Sequence, residues 1–471
     1  MILNLFLALP VVSGLAIYFM KDKGARAFGA SMAILQLLLG IELAFQRGTP
    51  EGLTFFSPWI PELGLNWSLG LDGANVLLVL LTPIITALAV LSMGKNIERP
   101  AGFVASLLVL DGFLCGVFLA QNLGLFYIFF EAMLLPALIL IGGWSRKDGP
   151  HTALKFLMYT LVGSLPMLLG VLALAFSPGA GASLEFADLG SVSPHTQLYL
   201  FFPFLLAFLI KMPMVPLHGW LPTLYRNAPA SVTVVIAALM SKAGTYGLFK
   251  VGLTVFPDAL RQVSGTLVIL AVASILYGAF AALGADSIRD ILAYSSLSHI
   301  GMIALGIASL TLNGASGAGL QMAGHAVATG GLFLVVAFLE ARGMPDQIRR
   351  YGGLSTPMPR LAALALFLTL ASLGQPGLGS FPGELFILSG SWRFFPVLTV
   401  LACLGILLAA AYLLRWYQRI FTGEEGTYRI PVDLSFGECT LLIVPIGLSL
   451  AMGFFPIYFM TPVQAWLEGM L

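Results

Sequence analysis

Charge is scarce in this chain. Only 10% of its residues are Asp, Glu, Lys or Arg, against 58% hydrophobic. So little polar surface excludes a soluble globular protein of 471 residues and leaves a polytopic membrane protein. A formal net charge of +1 leaves no basic footprint for a nucleic-acid partner. Cysteine is scarce too. Cys115, Cys403 and Cys439 lie far apart without ligand spacing, which argues against a zinc or iron–sulfur centre in this chain. No glycine-rich phosphate loop follows a strand pattern, and the glycines of PGAGAS at 178–183 read as loop flexibility. No basic residue precedes the apolar opening MILNLFLALPVVSGLAIYFM; Lys21, Lys23 and Arg26 come after it. A cleaved signal peptide has the reverse order, so the opening is expected to stay as a first helix.

What the chain does have is long apolar runs, each near the length that crosses a bilayer. They predict an all-α fold of fourteen spans, at about 2–20, 28–46, 71–93, 101–120, 123–142, 155–177, 199–225, 229–256, 263–283, 289–309, 316–341, 358–390, 394–421 and 436–459. With an outer N-terminus, alternate loops and helix ends become cytoplasmic. Those hold 17 of the 23 basic residues: Lys21, Lys23, Arg26, Lys95, Arg99, Arg146, Lys147, Lys155, Arg226, Arg289, Arg342, Arg349, Arg350, Arg360, Arg415, Arg419 and Arg429. The opposite side holds only Arg47, Arg261 and Arg393, and Lys211, Lys242 and Lys250 fall inside spans. Such a bias supports the topology, and an even count puts the C-terminus outside as well. The longest loops, near 47–70 and 178–198, are too short for a soluble domain, so residues 1–471 form one membrane domain.

Two spans are interrupted. The seventh reads KMPMVPLHGWLP, with Pro213 and Pro216; the twelfth reads GQPGLGSFPGEL, with Pro376 and Pro382. They lie five helices apart and so enter the membrane from opposite sides. Paired broken helices in halves of opposite topology mark an inverted-repeat transporter. A local proline kink in each is the plainer alternative.

Ionisable residues inside the spans carry the functional signal. A charge at mid-bilayer costs roughly 2.5–3.5 kcal/mol on insertion scales, so its presence asks for a reason. Glu131 sits mid-span among apolar neighbours, and Lys211, beside the break at Pro213, is its expected partner. A pair that moves together and apart would move a proton; a static buried ion pair is the alternative. Lys242 is mid-span, with Ser241, Thr245 and Tyr246 beside it and Ala243 and Gly244 leaving room for water. A desolvated lysine gives up its proton readily, which suits a relay. Lys250, eight residues on and nearer the outer end, is expected to snorkel. His299 and His325 are the histidines within regular spans; His218 is in the first break, and His151 and His195 fall in loops. Histidine passes protons on either nitrogen near neutral pH, although a lone buried histidine is more often a satisfied core residue. Glu384 follows the second break, where a carboxylate can receive a proton and release it. Asp111 is a further buried acid whose structural and functional readings balance, and Glu42 reads as an interface residue near a helix end.

The stretches FEAMLLP, KMPMVPLHGWLP, NAPASVTVVIAALMSKAGTYGLFK, DILAYSSLSHIGMIALG and GELFILSGSW resemble the antiporter-like membrane subunits of respiratory complex I, the proton-translocating NADH:quinone oxidoreductase. The resemblance covers about residues 70–420 and is shared with subunits of cation/proton antiporters and membrane-bound hydrogenases. It implies fourteen helices: three in 1–100, an inverted five-helix repeat in each of 101–256 (helices 4–8) and 263–421 (helices 9–13), and a last helix at 436–459. It further implies one proton channel per subunit, with Glu131 and Lys211 as the controlling pair. Lys242, His299 and His325 then continue a polar axis to Glu384. Glu384 stands where most sister chains have lysine, which is the pattern of the M-type branch. The long C-terminal lateral helix of the L-type sister is not expected here. Flavin, iron–sulfur clusters and quinone are implied for partner subunits and no cofactor or metal for this chain. The partners implied are the other membrane subunits, especially the L-type and N-type sisters, in a cell inner (plasma) membrane. The rival readings are a secondary antiporter subunit, an independent small-molecule transporter, which needs a substrate pocket between the broken helices, and a passive structural subunit, which four buried charges make costly.

Overall fold

A computed structural model of the chain describes every residue except 21, 23, 47–52, 95–96, 177–182, 190–193 and 429–430. Lys21, Lys23, Arg47, Lys95 and Arg429 of the loop count, and 178–182 of the PGAGAS loop, lie outside the described residues.

The fold is helical, and the fourteen expected crossings are all recognisable. Among the described residues, ten segments are long and apolar enough to span a membrane, and four shorter apolar helices complete the set. The chain begins with α1 (Ile2–Tyr18) and α2 (Ala25–Gln46). A β-hairpin, β1 (Leu53–Ile60) and β2 (Leu65–Leu71), then pairs antiparallel with Leu53 opposite Leu71. The apolar pattern places this segment in the long loop near 47–70. Its strand alternation is short, and the positive-φ Gly64 that closes the turn stands between apolar residues. After α3 (Val76–Ser92) and α4 (Pro100–Leu119), the fifth crossing divides into α5 (Leu123–Ala132) and α6 (Leu134–Trp144). Pro136 cannot bond the Ala132 carbonyl, and the helix bends one residue after it. α7 (Gly149–Ala175) and the short α8 (Phe186–Leu189) follow.

The seventh crossing is α9 (Pro194–Lys211), a break at 212–220, and α10 (Leu221–Asn227). The helix therefore begins about five residues earlier than expected, and His195 lies in its first turn rather than in a loop. His151 likewise sits in the first turn of α7. Pro213 and Pro216 both fall in the break, and the Trp220 indole N–H closes it by donating to the Ile210 carbonyl at 2.9 Å. The eighth crossing joins α11 (Ala230–Val235) to α12 (Ser241–Thr254) through a π turn at Ile236–Met240. Then come α13 (Pro257–Gly284), α14 (Ile288–Ala308) and α15 (Leu312–Ala341).

The twelfth crossing is α16 (Pro359–Leu373), a break at 374–379, and α17 (Ser380–Trp392). Pro376 is in the break. Pro382 is not: it lies in the first turn of α17, where a missing N–H costs no helical bond, so it starts a helix rather than breaking one. α18 (Pro396–Phe421) and α19 (Phe436–Phe454) close the set of crossings. The residues after them form another helix, α20 (Pro456–Leu467), whose first turn the expected last span at 436–459 merges with its neighbour. Pro456 ends that merger, because the residue before a proline is pushed out of the helical region.

Burial separates the helices by role. The described spans at 230–254 and 312–341 are buried along the whole of their most apolar window, whereas α2, α18 and α19 leave most of theirs outward. The two enclosed spans carry Lys242 and His325. At the end of the bundle that carries most of the basic loops, Arg289, counted above among loop cations, is 1% exposed. It donates to the Tyr225 and Ala228 carbonyls and to Glu340 at 2.8 Å, which ties α10, α14 and α15 together.

Candidate functional site

The two helix breaks place the buried charges. At the first, α9 ends on Lys211, whose side chain is buried at 2% exposure. Among the described residues its ammonium has no hydrogen-bond partner, and it lies 5.0 Å above the Phe130 ring and 5.8 Å from that of Phe156. Glu131, one residue beyond Phe130, is half-buried and accepts a hydrogen bond from the Ser164 hydroxyl at 3.0 Å through Oε1; its Oε2 has no partner. The expected ion pair is therefore open. The two groups feel each other's charge, but aromatic faces, not a carboxylate, cradle the ammonium. Cation–π contact holds a lysine without consuming its donors, so Lys211 is poised between partners.

Lys242 is carried to the same region by backbone packing. A Cβ on Gly244 would stand 2.6 Å from the Met212 nitrogen, so glycine is what lets α12 lie directly on the break. The π turn ends at Met240, two residues before Lys242, and its Ala237 carbonyl accepts from Nζ at 2.8 Å. π turns inside α-helices frequently mark functional positions. The same ammonium lies 2.5 Å from His325 Nδ1. An ammonium can only donate, so while Lys242 is protonated Nδ1 accepts and the ring proton lies on Nε2, which is 3.2 Å from the Thr329 hydroxyl. Partners thus set the histidine tautomer.

From His325 the line continues across α15 to α14. The His299 ring centroid is 5.7 Å from that of His325. His299 Nδ1 is 3.3 Å from Glu384 Oε1, which also accepts from Gln321 Nε2 at 3.1 Å. Glu384 is held against the second break. Gly374 has φ +77°, and a Cβ there would stand 2.5 Å from Glu384 Oε2. Glycine is needed twice at that position, for its left-handed backbone and for the carboxylate it admits. Lys242, His325, His299 and Glu384 therefore form one buried row of groups that can each hold and release a proton. The row has one gap, between the two imidazoles, whose ring centroids lie 5.7 Å apart without a hydrogen bond among the described residues.

The remaining sequence candidates divide. His218 stays in the first break, its ring 4.8 Å from Tyr277 and its Nδ1 without a partner. Asp111 is fully buried beside Thr86, whose hydroxyl donates to Oδ1 at 3.2 Å, in a polar cluster with Gln36 and away from the row. Glu42 is exposed near the end of α2, bonded to Gln46. Lys250 does not snorkel. It is 3% exposed, pairs with Asp72 at 2.5 Å and lies 4.7 Å from the Trp466 ring. The hairpin and α20 cover the helix end that was expected to meet water. The sequence reading passed over Ser164, Gln321 and Thr329. Gln321, His325 and Thr329 stand at four-residue spacing, the interval that lines one helical face, so the signal was present. Among the described residues, no group of three or more His, Cys, Asp or Glu is placed to hold a metal ion.

Comparison with known proteins places this arrangement. Residues 120–409 match the NADH:quinone oxidoreductase/Mrp antiporter transmembrane family. The chain is 38% identical to NADH-quinone oxidoreductase subunit 13 of Thermus thermophilus, over 96% of this chain and 94% of that one. It is 34% identical to NADH-quinone oxidoreductase subunit M of Escherichia coli, over 97% and 95%. A chain of respiratory complex I from Thermus thermophilus with bound NADH superposes with a TM-score of 0.92, at 35% identity and 100% coverage of both. A chain of the Mrp complex from Dietzia superposes at 0.88 with 20% identity, covering 99% and 96%, which is a likeness of fold.

Proposed function

The chain belongs to the NADH:quinone oxidoreductase/Mrp antiporter transmembrane family, and we propose that it is the M-type proton-translocating subunit of a complex I. Redox chemistry in partner subunits drives it. The observation that carries the reading is the buried row from Lys242 through His325 and His299 to Glu384. Its members bear no redox group, and each can take and give a proton.

Glu131 and Lys211 control loading. When the carboxylate side chain draws toward Lys211, it stabilises the ammonium; when it returns to Ser164, the ammonium is left over aromatic rings and its proton is freed to move on. Lys242 receives it and His325 and His299 pass it to Glu384. Residues 101–256 and 263–421 act as the two inverted repeats, each with its broken helix. Flavin, iron–sulfur clusters and quinone belong to partner subunits, and the membrane partners include the L-type and N-type sisters. The basic-residue bias supports both termini on the outer (periplasmic) side of the plasma membrane. Glu384, where sister chains mostly carry lysine, favours this reading over an antiporter subunit.

The test has two parts. The tagged chain should co-purify with NADH-oxidising, flavin-containing subunits. In membrane vesicles, Glu131→Gln should assemble, lose most NADH-driven proton pumping and slow NADH:quinone turnover. An assembled Glu131→Gln complex that pumps at the native proton-per-electron ratio would overturn the role of the pair.

A further inference from the structure

A cavity of about 690 Å³ opens on the hairpin side of the molecule, opposite the arginine-rich loops. Asp72, Gln121, Lys250, Thr254 and Trp466 are among its lining residues. Asp72 follows β2, and its side chain is 23% exposed; that of Lys250 is 4% exposed. The carboxylate is fixed in place. Its Oδ1 accepts from the Ala74 N–H at 2.9 Å, and its Oδ2 takes the Lys250 ammonium at 2.5 Å with Gln121 Nε2 at 3.5 Å. The ammonium is covered on another side by the Trp466 ring of α20.

Beyond this pair the interior is polar. Asn75 accepts from the Asp72 N–H through Oδ1 and donates to the Phe118 carbonyl through Nδ2. The Tyr246 hydroxyl donates to the same carbonyl at 2.9 Å. Tyr246 is one helical turn from Lys242 and one from Lys250, so the three lie along one face of α12. Water entering past Lys250 would meet polar atoms as far as the central relay lysine.

We infer that the Lys250 ammonium, locked in the Asp72 ion pair at the inner end of this cavity, is a fixed positive barrier that stops protons returning from the hairpin side to Lys242. A proton entering there approaches a cation in a poorly screened environment, where repulsion is strong. Fixed positive charge excludes protons from membrane pores by the same physics. Lys250 transfers nothing in this role; it is a positioning residue whose charge matters and whose proton does not. The inference rests on the proposed proton-translocating reading.

The experiment measures passive proton flux. Vesicles carrying the assembled complex receive an imposed pH gradient without NADH, and its collapse is followed. Lys250→Met removes the cation and leaves Asp72 as an attractive anionic mouth, so collapse should be several-fold faster than native. Lys250→Arg keeps the cation and should stay tight. Asp72→Asn breaks the ion pair but keeps the ammonium, so it should also stay tight. If Lys250→Met does not assemble, Lys250→Gln, which can still donate to Asp72, serves in its place with the same expected leak. A merely structural latch would make the lysine and aspartate variants leak alike. Equal leak in the two, or no leak in the lysine variant, overturns the barrier. Failure of the parent reading shows elsewhere, as native NADH-driven pumping in Glu131→Gln, whatever the passive flux.

Discussion

Lys242 and His325 meet at 2.5 Å, lysine Nζ to imidazole Nδ1, at the centre of the two most enclosed membrane spans of the chain. The contact joins a residue next to the first helix break to one on α15, whose Gly324 packs on the second at Gly379, so a proton leaving the lysine has a receiving lone pair within hydrogen-bond reach.

Lys242→Arg keeps the charge and most of the reach but holds its proton at all accessible pH. An ion-pair scaffold tolerates that change; a relay does not. We expect an assembled complex whose proton pumping falls about tenfold or more, the scale on which a positioned proton-transfer group matters. Vesicle acidification driven by NADH, with assembly checked by immunodetection, measures it. Native pumping in the arginine variant would leave Lys242 as a structural cation.

Glu384→Gln preserves shape and can still bond Gln321, yet it cannot carry a charge. Pumping should drop strongly with little loss of assembly. Glu384→Lys restores the ionisable type common among sister chains and should keep part of the activity. Native pumping in Glu384→Gln would show that the site needs only the shape of the side chain, and identical losses in both variants would show that a lysine cannot stand in for the carboxylate.

Thr329→Val removes the partner of His325 Nε2 at nearly constant volume. Leaving that N–H unsatisfied costs about 1–3 kcal/mol and frees the imidazole from its tautomer. Pumping should fall partially, and Thr329→Ser should restore it. If valine and serine behave alike, the hydroxyl does not orient the ring.

Gly374→Ala combines two insults, a left-handed backbone at φ +77° and a Cβ placed 2.5 Å from Glu384 Oε2. Gly377→Ala shares the first, at φ +89°, but its Cβ would meet only the Phe454 ring at 3.5 Å. Each should lose about 1–2 kcal/mol of stability to backbone strain. Only the change at 374 should also depress pumping toward the Glu384→Gln level. Equal pumping in the two variants would mean that the carboxylate is not positioned by the break.

Much of this architecture was legible in the sequence. Apolar length and basic-residue bias found fourteen crossings, because the bilayer imposes one length scale on every one of them. Pro213, Pro216 and Pro376 located the breaks, since a missing N–H acts locally. Pro382 misled for the same reason: its effect depends on whether it stands inside a helix or at its start. The hairpin and α20 escaped because neither is a bilayer-length apolar run, and Lys250 was misplaced as a consequence, its cover coming from elements far away in sequence. Glu131 and Lys211 were recognised as neighbours, but the aromatic cradle between them was not; Phe130 and Phe156 look like ordinary lipid-facing residues until the fold brings them to the ammonium.

The contact of Gly244 with the Met212 nitrogen carries a mechanical consequence. Side chains absorb small displacements by changing rotamer, but main chain against main chain has no such slack, and dense interiors transmit strain. A shift of a few tenths of an ångström where α9 ends is therefore handed to α12 undamped, two residues from Lys242. The helix break and the relay lysine behave as parts of one stiff linkage. On the proposed relay, a conformational event arriving at the break, however small, changes the distance over which Lys242 would hand on its proton.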